Sequence, residues 1–272
     1  MARRHNATGK ELLRTSLALF RQNPSMIWLP VIGGIGAFLV FLLVGGAISV
    51  PLYMAAPKSF LYVIGIFVGT VCASVVTITC NVALCYAASA QMEGQDATVS
   101  EVLSAAWGRR RYIFQWAVFS GVVGAILRSI EQRLGVLGNV VAFLGGLGWA
   151  VASFLVVPVL AFEELGPLDA LKRSSHLLQS KFGTVARTGL RFGLLFVGWY
   201  LLALVVLLAG VALVATSPAL GIGLVGVSVL GILIVGAYQS AAAMYMRTIL
   251  YRYSLDQDVS SFAGDVSMTF GA

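Results

Sequence analysis

The sequence predicts an all-α integral membrane protein, built of six transmembrane helices with three in-plane amphipathic helices on the cytoplasmic side. Three observations predict it. First, hydrophobic residues make up 59% of the 272 and charged residues 11%, with a mean hydropathy of +0.91. A soluble domain carries roughly 45–50% apolar and about 25% charged residues, so this chain lacks the polar surface to coat a globule in water. Second, six apolar blocks reach or approach the ~20 residues that a helix needs to cross hydrocarbon. Third, the net charge of +7 is not spread as a nucleic-acid binder would spread it. The basic residues gather on alternate connections between the blocks, which points to lipid rather than nucleic acid as partner.

The blocks run from Met26 to Tyr53, Leu61 to Ala90, Tyr112 to Leu127, Leu137 to Phe162, Val185 to Ala215 and Ala219 to Met246. The third is short, and it spans only if its helix continues through Arg128 and Glu131 towards Gly135, with those side chains reaching the interface. Between the last two blocks Thr216-Ser217-Pro218 suits a tight hairpin. One set of connections collects Arg3, Arg4, Lys10, Arg14, Arg21, Arg109, Arg110, Arg111, Lys172, Arg173, Lys181, Arg187, Arg191, Arg247 and Arg252; the other holds Lys58, Arg128 and Arg133. By the positive-inside rule this places both termini in the cytoplasm of a bacterial inner membrane. An even number of spans is then required, which supports the third block. The basic start, Met1 to Arg4, lies far from the first apolar run and lacks a small-residue cleavage pattern, so no removable signal peptide is expected.

The cytoplasmic stretches share a signature. Thr8-Gly9-Lys10-Glu11 and Thr98-Val99-Ser100-Glu101 both fit the capping box, in which the Thr hydroxyl accepts from the N3 amide and the Glu reaches back to the cap amide. Gly166-Pro167-Leu168-Asp169 starts a helix by another route, with Pro at the first helical position and an acid in the first turn. The helices that follow carry apolar stripes: Leu13, Leu17 and Phe20; then Val99, Leu103, Ala106 and Trp107; then Leu168, Leu171, Leu178 and Phe182. Basic residues flank each stripe, and that pattern belongs at the inner lipid surface. The chain thus reads as one membrane domain over 1–247, with repeats of in-plane helix, span and span at 1–90, 91–162 and 163–247, and an acidic C-terminal tail over 248–272.

At Val157-Pro158-Val159-Leu160, Glu163, Gly166-Pro167 and Ala170-Leu171-Lys172-Arg173-Ser174, the chain resembles a widespread family of prokaryotic polytopic membrane proteins of unassigned function. It is also distantly similar to the membrane domain found with some glycerophosphodiester phosphodiesterases. The resemblance implies a membrane role with no attached reaction, because the phosphodiesterase chemistry resides in a separate soluble domain.

Ionisable groups inside a span usually mark a transport path or proton relay. Here the centres of the six blocks hold none. Arg128 and Glu131, three apart near the end of the third block, form a candidate ion pair. Glu163 and Glu164 either face headgroups or cap Lys172 and Arg173. Ser74, Thr77 and Asn81 recur on one face of the second block, as a helix contact or as the wall of a polar path. Gln115, Asn139 and Gln239 read as packing contacts. Cys72, Cys80 and Cys85 share one apolar block with no CxxC and no nearby His, which reads as buried thiols. No cofactor or metal set is expected, and His5 and His176 have no partner ligands in sequence.

Glycine spacing suggests close helix approach at Gly65-x-x-x-Gly69 and Gly189-x-x-x-Gly193, with Gly145, Gly146, Gly148, Gly221, Gly223 and Gly226 thinning further surfaces. These faces meet within the chain or between copies. The expected function is a non-enzymatic inner-membrane protein that associates with itself as a lipid-binding scaffold or pore. Its anionic-lipid headgroup contacts would be Lys10, Arg14, Arg21, Arg109, Arg110, Arg111, Lys172, Arg173 and Lys181. The alternative is a transporter or channel for a small neutral or hydrophobic solute, lined by Ser74, Thr77 and Asn81.

Overall fold

The structure is a computed structural model that describes residues 17–56, 60–133 and 135–255, and within these the side chains outside 133, 135–137, 180–182 and 184–187. A helical turn at 17–22 leads into α1 (Pro24–Ala55) and α2 (Tyr62–Met92). There follow α3 (Val99–Gly108), α4 (Arg110–Arg133), α5 (Gly135–Ala152), α6 (Val156–Phe162), α7 (Pro167–Leu213) and α8 (Pro218–Ser254). Six stretches are long and apolar enough to cross a membrane. The described residues hold no strand, and the six spans make this a multi-pass membrane protein. Large apolar side chains such as Leu43 and Phe143, each 70% exposed, face outward where hydrocarbon rather than water must meet them.

The third span needed its charged extension, and α4 supplies it by running unbroken to Arg133. Arg128 and Glu131 stand exposed on that extension, and among the described residues no ion pair joins them. The fourth block is not one helix but two. Pro158 has no N–H for the Phe154 carbonyl and crowds it, so the chain turns over Ser153–Leu155 between α5 and α6. The Leu155 N–H that the turn leaves without a helical partner donates instead to Ser174 Oγ on α7, at 3.0 Å.

The third amphipathic segment begins where expected, with Gly166 as cap, Pro167 in the first turn and Asp169 behind it. It does not end before the fifth span. Pro167 to Leu213 is continuous helix, because nothing between Phe182 and Thr188 breaks helical backbone as a proline would. The helix is bent, however. Ser174 and Gly189 would lie about 22 Å apart on a straight helix, yet neighbouring residues reach both: Leu155 bonds Ser174, and a Cβ on Gly189 would stand 3.9 Å from the Phe154 ring. The stretch between them contains Ser180 and Gly183, the kind of residues at which helices kink.

Helix pairs are seated by small residues and aromatics. A Cβ built on Gly69 of α2 would lie 2.6 Å from the Gly45 Cα of α1, and one on Gly65 would lie 2.6 Å from the Ser49 nitrogen. The Gly65/Gly69 face is thus consumed within the chain. Gly45 closes a π-helical turn over Phe41–Gly45, upstream of Pro51, which deprives the helix of a donor. Gly210 and Gly221 make the equivalent close approach where α7 turns into α8, while Gly145 accommodates Leu127 across α4 and α5. Trp116 and Trp149 stack at 5.5 Å and 6° to hold that last pair together. Tyr200 donates to Gln239 at 2.6 Å, tying α7 to α8. Gly146, Gly148, Gly193, Gly223 and Gly226, by contrast, have nothing within 4 Å of an added Cβ.

The buried core sits towards one end of the bundle, where Leu29, Leu84, Ile113, Leu160, Ala170, Tyr245 and Ile249 are fully enclosed. Helix α3 abuts this core through Val102 and Ala106. The Thr98–Glu101 capping box is formed: the Thr98 N–H donates to Glu101 Oε2 at 2.8 Å and the Glu101 N–H to Thr98 Oγ1 at 3.3 Å. The Thr8–Glu11 box lies outside the described residues. Those bonds from Thr98 hold the Glu101 carboxyl below its ordinary value. A depressed carboxylate stabilises the fold above its ordinary titration range and loses that contribution as the pH falls through the folded value. The protection factors of the first amides of α3, with the intrinsic slowing of exchange at lower pH divided out, should therefore fall on acidification, and Thr98→Ala should weaken the helix by about 1 kcal/mol at neutral pH.

Candidate functional site

Polar side chains converge at the same end of the bundle as the core. Tyr86, Ser89 and Glu93 share one face at the close of α2, at helical spacing. Arg109 caps α3, Glu163 caps α6, and Glu164 follows in the turn to α7. Arg173 comes from α7, and Tyr251 and Arg252 from the last turn of α8.

These groups form three ion pairs braced by aromatic rings. Arg109 Nη1 bonds Glu164 Oε1 at 2.7 Å, while its Nε donates to the Tyr86 hydroxyl at 3.2 Å. Tyr86 in turn donates to the Ala161 carbonyl at 2.6 Å. Glu163 accepts from Arg173 Nε at 3.1 Å and from the Tyr251 hydroxyl at 2.8 Å. Arg252 donates to Glu93 at 2.6 Å and also to Ser89 Oγ. The Phe162 ring lies between the two tyrosines, edge-on to Tyr86 and stacked on Tyr251 at 20°. The belt ties α2, α3, α6, α7 and α8 together. Each of these acids is engaged by a guanidinium, so the cluster clasps five helices together.

Other cations at this end stay outside the clasp. Arg21, Arg110, Arg111 and Lys172 are exposed. Lys172 approaches Asp169 at 4.0 Å with side chains 79% and 68% exposed, a pair worth little in solvent. Arg247, which the sequence suggests for a connection, lies inside α8 with its guanidinium 5.0 Å from the Phe154 ring centre. Its buried Nε has no hydrogen-bond acceptor among the described residues.

The sequence pattern of one family matches residues 60–261, most of the chain and the whole of this belt. The chain belongs to DUF6159, a family of unknown function. No curated protein and no solved structure matches it. Nothing links this DUF6159 member to the membrane domain found with glycerophosphodiester phosphodiesterases, so that part of the expected resemblance finds no support.

Several expected site residues of the DUF6159 chain lie elsewhere. Thr77 is exposed and donates back to the Ala73 carbonyl of its own helix at 3.2 Å. Ser74 and Asn81 are half-buried on the same helix. Of the two acids expected to cap Lys172 and Arg173, Glu163 takes Arg173, but Glu164 takes Arg109. Lys10 and Arg14 lie outside the described residues, as does the side chain of Lys181. His176 is exposed, and the thiols of Cys72, Cys80 and Cys85 are free, the last two buried.

Helix α8 continues to Ser254, so the first residues assigned to an acidic tail are helical, and two of them complete the belt. Sequence reasoning left Tyr86, Ser89, Glu93 and Tyr251 out of any site and counted Arg252 only among the basic connections. The spacing of Tyr86, Ser89 and Glu93 on one helix face was the signal available for the first three.

Proposed function

We propose that this DUF6159 chain is a non-enzymatic membrane scaffold whose basic end holds anionic lipid headgroups and which associates with copies of itself. One observation carries the reading: Glu93, Glu163 and Glu164 are each engaged by Arg252, Arg173 and Arg109, while Arg21, Arg110, Arg111 and Lys172 remain exposed at the same end. Against the exposed acids Asp96, Glu101 and Asp169 at this end, these cations leave a small excess of positive charge for an outside partner. At a bacterial inner membrane, with this end cytoplasmic by the positive-inside rule, that partner is the anionic leaflet. Helix α3, with its buried inner stripe and Arg109–Arg111 behind it, then lies in the plane of the headgroups. The open glycines Gly193, Gly223 and Gly226 on the outer faces of α7 and α8 suit close approach of a second copy.

Each such cation contributes on the order of 1 kcal/mol near an anionic surface. Replacing Arg110 and Arg111 together by Gln should therefore weaken attraction to phosphatidylglycerol vesicles by about 2 kcal/mol, or roughly thirtyfold. The measurement is the thermal midpoint and crosslinked oligomer fraction in vesicles with and without phosphatidylglycerol. A chain that stays monomeric and equally stable in both compositions would overturn the proposal.

A further inference from the structure

A groove of about 470 Å³ lies between α5 and the first half of α7, within the ~300–1,000 Å³ of sites that hold small ligands. Its walls are chemically lopsided. Leu147, Gly148 and Val151 line it from α5 and Leu178 from α7, while the polar lining, Ser175 and Gln179, comes from α7 alone. Leu147 is 54% exposed and Val151 38%, so the apolar wall belongs to the outer surface of a spanning helix, where lipid chains run. Lys172 and His176 stand one turn from Ser175 and Gln179 on the same helical face. Both are exposed. Asp169 pairs with Lys172 at 4.0 Å, but with both side chains well exposed that pair is weak in solvent, and Arg173 is held by Glu163.

We propose that this groove seats one phospholipid with an anionic headgroup. Its acyl chain lies along Leu147, Gly148 and Val151, and its phosphate sits at Lys172, His176 and Gln179. The assignment follows from the two-part chemistry of the groove. A free phosphate would have no use for the apolar wall, and an apolar solute would have none for the cation at its end. The site rests on the lipid-binding reading above and refines it from a charged face to a discrete position. The bend in α7 makes the position, because it carries the amphipathic half of that helix towards the α5–α6 turn.

The test uses the full chain reconstituted in phosphatidylethanolamine vesicles containing phosphatidylglycerol, extracted gently and weighed intact by native mass spectrometry. One retained phospholipid per chain is expected. Gly148→Leu projects a side chain into the groove from a position with nothing within 4 Å of its Cβ, and Gly146→Leu does so equally freely but on the opposite face of α5. Gly148→Leu should lower lipid retention at least tenfold with an unchanged thermal midpoint, and Gly146→Leu should leave it intact. Leu147→Trp fills the same space as a second variant. Lys172→Gln should keep a bound lipid but lose the preference for phosphatidylglycerol.

Equal retention in Gly148→Leu and Gly146→Leu would overturn the groove assignment. So would self-crosslinking of Val151→Cys in membranes, which would show a second copy seated there. If the Arg110/Arg111 vesicle dependence survives either result, the groove alone fails. If that dependence is also lost, the broader reading fails with it.

Discussion

Gly69→Val should destabilise the protein by about 3 kcal/mol, at the upper end of what overpacking costs. The added Cβ would fall 2.6 Å from the Gly45 Cα and 2.9 Å from its nitrogen. These are backbone atoms that no rotamer change can move aside, so α1 and α2 must separate. Separation would also break the Ser49 bond to the Tyr62 carbonyl, 2.9 Å long near the far end of the same helix pair. Gly46→Val is the matched control: it adds the same side chain next to Gly45, where a Cβ meets nothing within 4 Å. Thermal unfolding in detergent should show a large drop in midpoint for the first variant and none for the second. Equal midpoints would mean that the contact is loose.

The second large effect is expected at Glu163. Its carboxylate serves Arg173 and Tyr251 at once, and at 23% exposure it lies between a solvated pair, worth under ~1 kcal/mol, and a buried one, where removing a partner costs ~3–5 kcal/mol. Glu163→Ala should therefore cost about 2 kcal/mol. The Glu163→Ala, Arg173→Ala double variant should cost less than the two single changes added together, since the second removes a charge that the first has stranded. Strict additivity would show that the two side chains do not act as a unit. Tyr251→Phe, which keeps the ring against Phe162, should lose about 1 kcal/mol, the ordinary worth of one hydrogen bond.

The spans were legible because hydrocarbon asks one coarse thing of a segment, length without charge, and six blocks answered it. Even the doubtful one was placed by charge bookkeeping, and α4 runs on through Arg128 as that bookkeeping required. The Thr98 capping box and the Pro167 start were legible because caps depend on near neighbours. Finer features were not. Pro158 sits in an apolar block that proline alone does not mark as broken, since tertiary contacts can re-satisfy the freed backbone groups; Ser174 does that here for Leu155. The reverse held for α7, where a polar-to-apolar shift in composition suggested a boundary that the backbone does not observe. The belt was least legible of all. Arg252 finds Glu93 across 159 residues of sequence, and Tyr251 reaches Glu163 across 88, so spacing along the chain carries no trace of either pairing.

That long reach bears on how the molecule is made. The Gly45–Gly69 contact joins two neighbouring helices, so it can form while ribosomes are still adding the later ones. Glu93 and Glu163 must wait, because Arg252 and Tyr251 come from α8 and are translated last among the described helices. A nascent polypeptide halted before that point leaves both carboxylates without those partners, beside a half-assembled apolar core. The clasp therefore closes only once α8 has been made.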